Sequence, residues 1–93
     1  MVKVSKIIGK RVITTDAFNV GEVSGVELGD HWKITHIYVD LSKDATNELG
    51  FRKPVFGHIT IGLPVNLMQG LADVITLTKT REGLEGIPEF KGI

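Results

Sequence analysis

A mostly β fold, a small and strongly coiled barrel with one short helix, is what these 93 residues predict. Three observations carry that expectation. Residues 9–28 read as two β-branched runs joined by a polar turn, further runs with strand periodicity follow at 32–41, 58–67 and 72–78, and glycines recur inside the strands, where they permit the curvature that closure needs.

The opening run, Val12-Ile13-Thr14-Thr15, has strand propensity, and Val20 to Leu28 returns as its partner with Gly21 and Gly25 spaced along it. Asp16 and Asn19 mark the turn between them, with the Asp16 carboxylate placed to accept the amides of Phe18 or Asn19. Gly21 is read with Asp16 as part of this turn framework. After a second turn at Gly29-Asp30-His31, residues 32–41 form a third strand whose faces are both substantially apolar. Trp32, Ile34, His36 and Tyr38 alternate with Lys33, Thr35, Ile37, Val39 and Leu41, so one face lines the interior while a helix, the tail or another subunit covers the other.

Residues 42–50 break the β pattern. Ser42 is a natural N-cap, Asp44 favours the positive end of a helix dipole, and Gly50 supplies a left-handed stop, so one short helix buries Ala45 and Leu49. A connector follows, interrupted by Pro54. Residues 58–67 then alternate cleanly, with Ile59, Ile61, Leu63, Val65 and Leu67 on one face, although Pro64 marks an edge or an end and a brief helical turn is expected after it. The last strand, 72–78, takes its core contacts from Val74, Ile75 and Leu77, and Asp73 before it is read as a structural turn residue.

The chain is one domain, residues 1–79, with a tail at 80–93 whose Leu84, Ile87, Phe90 and Ile93 recur every three residues. That tail is packed on the domain or offered to a partner. At this length only about 60 to 65% of the unfolded surface can be buried, so dimerisation is a natural source of further buried area. Eleven basic residues balance eleven acidic ones, which disfavours a binder held to nucleic acid by phosphate neutralisation; Lys3, Lys6, Lys10 and Arg11 form the longest local basic cluster. With no cysteine there is no disulfide, thiolate site or cysteine nucleophile. No apolar run reaches the length of a membrane span or a signal peptide, so a cytoplasmic protein is expected.

Catalytic motifs are absent. His31, His36 and His58 lack the spacing of a ligand pair, an isolated Asp73 has no paired acid or nucleophile, and the glycines make neither a dinucleotide fingerprint nor a phosphate loop. No cofactor, no metal and no enzymatic activity are expected. The aromatic residues lack the interleaved arginines of a single-strand stacking platform, which leaves core or interface as their use. The candidate interface is Phe18, Trp32, Ile34, Tyr38, Phe56, Leu84, Ile87 and Phe90.

The order Gly9-Lys10-x-Val12-x-Thr14-x-Asp16, Val20-Gly21-x-Val23-x-x-Val26, and later Leu63-Pro64-Val65 with Ala72-Asp73-Val74-Ile75-x-Leu77 resembles the archaeal stand-alone PRC-barrel proteins over residues 7 to 79. The resemblance implies a six-stranded β-barrel shared with the cytoplasmic part of the photosynthetic reaction-centre H subunit and with the C-terminal domain of a bacterial factor that matures the small ribosomal subunit. It further implies a docking and assembly module, an adaptor such as those of archaeal cell division, with an RNA-processing or ribosome-assembly accessory role as the alternative. One departure falls at Ala17-Phe18, where the family commonly has a glycine, so the turn type is open and Phe18 is left exposed.

Overall fold

The computed structural model describes residues 3–52, 54 and 57–90. Its elements are helix α1 (Val4–Ile7), strands β1 (Arg11–Ile13), β2 (Asn19–Leu28) and β3 (Ile34–Leu41), helix α2 (Lys43–Glu48), and strands β4 (Thr60–Pro64), β5 (Met68–Leu71) and β6 (Val74–Leu77). Single 3-10 turns occupy Asp30–Trp32, Val65–Leu67 and Glu82–Leu84. All six strands join one sheet in the order β4-β3-β2-β1-β6-β5. Every pairing is antiparallel except β1 with β6, which run parallel with Val12 opposite Ile75.

Period two explains which side chains enter the core. Ile37, Val39 and Leu41 of β3, Ile61 and Leu63 of β4, and Ile75 and Leu77 of β6 are all buried, and they meet Val12, Val20 and Val23. Register shifts interrupt the ladder between Val12 and Ile13, between Val23 and Gly25, between Glu27 and Leu28, and between Met68 and Gly70. Each bulge increases the local twist, which coils a short sheet around its own hydrophobic side. Helix α2 covers that side. Ser42 caps it by accepting the Ala45 amide at 3.1 Å, Gly50 ends it at φ +81°, and its own Ala45 and Thr46 are buried while Leu49 packs at the margin.

Closure is where the structure departs from a barrel. Strands β4 and β5 form the two edges, and among the described residues no ladder joins them, so the six-stranded sheet is coiled but open. The physical reasons lie at β4. Pro64 at its end has no amide to donate, and its outer edge is taken by the tail, through a bridge between Ile61 and Glu89 and the Phe90 amide bonded to the Thr60 carbonyl at 2.8 Å. The strand expected over 58–67 is therefore only five residues long; Val65–Leu67 forms the helical turn anticipated after Pro64, which leaves Val65 exposed and Leu67 against the core.

The third strand also begins later than expected. Trp32 and Lys33 belong to a turn in which the Gly29 amide bonds the Lys33 carbonyl at 2.8 Å and His31 and Trp32 both adopt left-handed conformations. Gly21, read as a turn residue, sits within β2. A Cβ there would lie 2.0 Å from the Asp40 carbonyl oxygen, so the position serves a close approach of β2 to β3. Strand β5, unforeseen in the sequence, is the antiparallel partner of β6.

Candidate functional site

The expected interface residues separate into three groups. Phe18 is half-buried against the core, because the first hairpin folds its ring inward. Leu84 is 1% exposed and Ile87 packs beside it, so these two tail residues are core and core margin, not free surface. Phe56 lies outside the described residues. Ile34, Tyr38 and Phe90 are half-buried on the side of the sheet away from the core cluster, and Trp32 alone among the seven described candidates is open, at 82% exposure.

Trp32 stands at the tip between β2 and β3. Two consecutive left-handed residues, His31 at φ 62° and Trp32 at φ 60°, fix the backbone that presents it. Neither residue is glycine, so each position carries a conformational cost that regular strand residues avoid. Leu28, paired with Ile34 at the base of this tip, is 49% exposed, so the large apolar surface here extends beyond the indole. The sequence named Trp32 and Ile34 as interface candidates and missed Leu28, whose position beside the turn was the available signal.

A second surface lies along the outward face of β3. Tyr38 Oη donates to Glu27 Oε1 at 2.8 Å, and His36 Nδ1 lies 3.2 Å from Glu27 Oε2 and 3.0 Å from Thr35 Oγ1. The hydrogen bond to Glu27 stabilises the neutral phenol and raises the Tyr38 pKa above its ordinary value, with burial acting in the same sense. Across the Tyr38 ring lies Phe90, centroids 4.3 Å apart and planes inclined at 30°. A cleft of about 250 Å³ opens here, lined by Glu27, His36, Tyr38 and Gly62 of the sheet and by Pro88 to Phe90 of the tail. The other side of β3 that was expected to be covered by helix, tail or subunit is thus covered by the tail. Glu27 and His36 were not singled out as a pair, although they face each other in the β2 to β3 register.

A third depression, about 320 Å³, lies over Arg11, Asn19, Glu22, Asp40, Ser42 and His58. Its polar side chains largely satisfy one another. His58 Nε2 is 3.1 Å from Asp40 Oδ2, Thr60 Oγ1 donates to Asp40 Oδ1 at 2.7 Å, and Ser42 Oγ donates to the Asn19 carbonyl at 3.0 Å while capping α2.

The structural turn residues behave differently from one another. Asp16 does not bond the amides of Phe18 or Asn19. It accepts the Thr14 hydroxyl and, at 3.2 Å, the Arg81 amide, so the carboxylate ties the first hairpin to the start of the tail. The Thr14 hydroxyl in turn accepts the Phe18 amide at 3.0 Å. These donors, the Thr14 hydroxyl first, lower the Asp16 pKa below its ordinary value. Ala17 takes the turn's left-handed position at φ 64°, the residue type the PRC-barrel resemblance would replace with glycine. Asp73 is exposed in the turn between β5 and β6, where the Ala72 amide bonds the Val74 carbonyl at 3.0 Å.

Among the described residues no group of three or more histidine and carboxylate side chains converges with metal-binding geometry. No helix among them is long and apolar enough to cross a membrane. No family model matches the chain, and no curated protein matches it as a relative.

Proposed function

We propose that this chain is a non-catalytic protein-interaction module of the PRC-barrel kind, a homodimer that acts as an adaptor within a larger cytoplasmic assembly such as a cell-division complex. The observation that carries this reading is Trp32, presented at 82% exposure by a backbone that two non-glycine residues hold in the left-handed region. An indole so placed exposes a large apolar surface to water, and the arrangement is stabilised when a partner covers it. Tryptophan is also the residue type most enriched among interface anchors. Leu28 and Ile34 at the base of the tip extend the same surface.

The RNA-linked alternative rests on Lys3, Lys6, Lys10 and Arg11. Lys10 and Arg11 share their shallow depression with Glu22 and Asp73, an arrangement of mixed sign that no phosphate backbone favours.

Gel filtration with light scattering at micromolar concentration tests the dimer. Wild-type protein is expected at twice the monomer mass, and Trp32→Ser at the monomer mass with an unchanged far-ultraviolet circular dichroism spectrum. A wild-type monomer across the accessible concentration range, or a dimer indifferent to Trp32→Ser, overturns the reading.

A further inference from the structure

The edge of β4 already holds an extended segment, and the manner of its binding defines what else fits there. Glu89 bridges Ile61 in antiparallel register and the Phe90 amide donates to the Thr60 carbonyl at 2.8 Å. Phe90 lays its ring on Tyr38 at 4.3 Å, over a floor kept open by Gly62, where an added Cβ would approach Tyr38 Cε1 to 3.3 Å. The register then sets Pro88 opposite Gly62. Proline has no amide, so the added strand ends after a single rung while the rest of the β4 edge continues. Upstream, Leu84 is locked in the core and Gly86, at φ +87°, supplies a pivot between that anchor and the strap.

We propose that the β4 edge together with the Tyr38 and Gly62 cleft is a binding site for an extended segment of a partner protein carrying an aromatic residue, and that the chain's own tail is a weak ligand occupying it in cis. Strand addition gains affinity from backbone rungs and specificity from alternate side-chain pockets. The tail supplies the pocket-filling ring and forgoes the next rung, which makes it displaceable. A partner segment with an amide where Pro88 stands gains that rung, places its aromatic ring on Tyr38 and lifts the tail about Gly86. The cleft, about 250 Å³ with the tail in place, leaves room for entry. The proposal rests on the reading of the chain as a binding module, but uses a surface separate from the Trp32 tip.

The test uses full-length protein and a synthetic peptide copying residues 86–93 with Pro88→Val, followed by amide chemical shifts. Phe90→Ala protein, whose strap has lost its stacked ring, is expected to bind the peptide at least about tenfold more tightly than wild type, with shifts centred on Thr60, Ile61 and Gly62. Phe90→Leu, which keeps apolar bulk and loses the stack, should fall between the two. A peptide that also carries Phe90→Ala should bind neither protein. Equal affinity for wild type and both variants, no binding to any of them, or shifts centred elsewhere overturns the proposal. Those outcomes leave the Trp32-dependent dimer untouched, so the two readings fail separately.

Discussion

Gly21→Ala is the substitution whose effect the structure specifies most sharply. The new methyl carbon would stand 2.0 Å from the Asp40 carbonyl oxygen, 2.9 Å from its carbon and 3.0 Å from Leu41 Cα, all backbone atoms of the neighbouring strand. Non-bonded carbon contacts are comfortable near about 3.5 Å, so β2 and β3 must separate by more than about 1 Å at this point. The hydrogen bond that crosses this seam beside it is drawn tight, the Ser42 amide bonding the Val20 carbonyl at 2.9 Å. Loss of that bond at about 1 kcal/mol, with about 1 to 3 kcal/mol of overpacking, gives a destabilisation of about 2 to 4 kcal/mol. For a domain of this size that corresponds to a fall in Tm of about 10 to 25 °C. The φ of Gly21, +154°, adds to the cost in the same direction. Thermal and urea unfolding followed by far-ultraviolet circular dichroism read the effect, with Gly25→Ala as the internal comparison. The methyl at Gly25 would meet only Tyr38 Cδ2, at an ordinary 3.6 Å, so its expected change is within about 1 kcal/mol of zero. A Gly21→Ala protein that melts within a few degrees of the Gly25→Ala protein would refute the close-approach argument.

Two further perturbations concern the first hairpin. Ala17→Gly relieves a left-handed alanine at a small cost in unfolded-chain entropy, so unfolding experiments should show a gain of about 0.5 to 1 kcal/mol; a loss would mean that the turn does not hold φ near 64°. Asp16 has a folded-state pKa below its unfolded value, so its contribution is complete above the unfolded pKa of about 4 and disappears as the pH falls through the lower folded value. Asp16→Asn should therefore flatten the acid side of the stability profile and leave its alkaline side unchanged, measured by urea unfolding across the acid range.

Local chemistry made much of the fold legible. Ser42 and Gly50 bracket the helix because capping is a property of neighbouring residues, and Ile37, Val39 and Leu41 declare their face because a strand has period two. What escaped depends on pairing between distant segments. Met68-Gln69-Gly70-Leu71 has little strand propensity of its own and becomes a strand through its ladder with β6. Closure of the sheet into a barrel was inferred from glycine curvature, yet the outcome at the β4 edge turned on a tail whose apolar residues repeat every three positions without declaring what they cover. Of the candidate interface, Trp32 could be named from its type and its neighbouring turn. Its left-handed φ could not, since tryptophan has no preference for that region and tertiary context imposes it. Leu84 was misplaced for the converse reason, because a leucine in a glycine-rich tail reads as surface until the core is seen to need it.

The parallel rung of β1 against β6 couples a strand made early to one made much later. Arg11, Val12 and Ile13 are made about sixty residues before Val74, Ile75 and Thr76, and they wait for them before both sides of their strand are bonded. The antiparallel run from β1 through β3 can assemble as it leaves the ribosome, whereas the final seam must close a loop of nearly the whole domain. Such a non-local seam makes folding late and slow to commit, and until it forms β1 offers an unpaired edge on which nascent copies can misassociate.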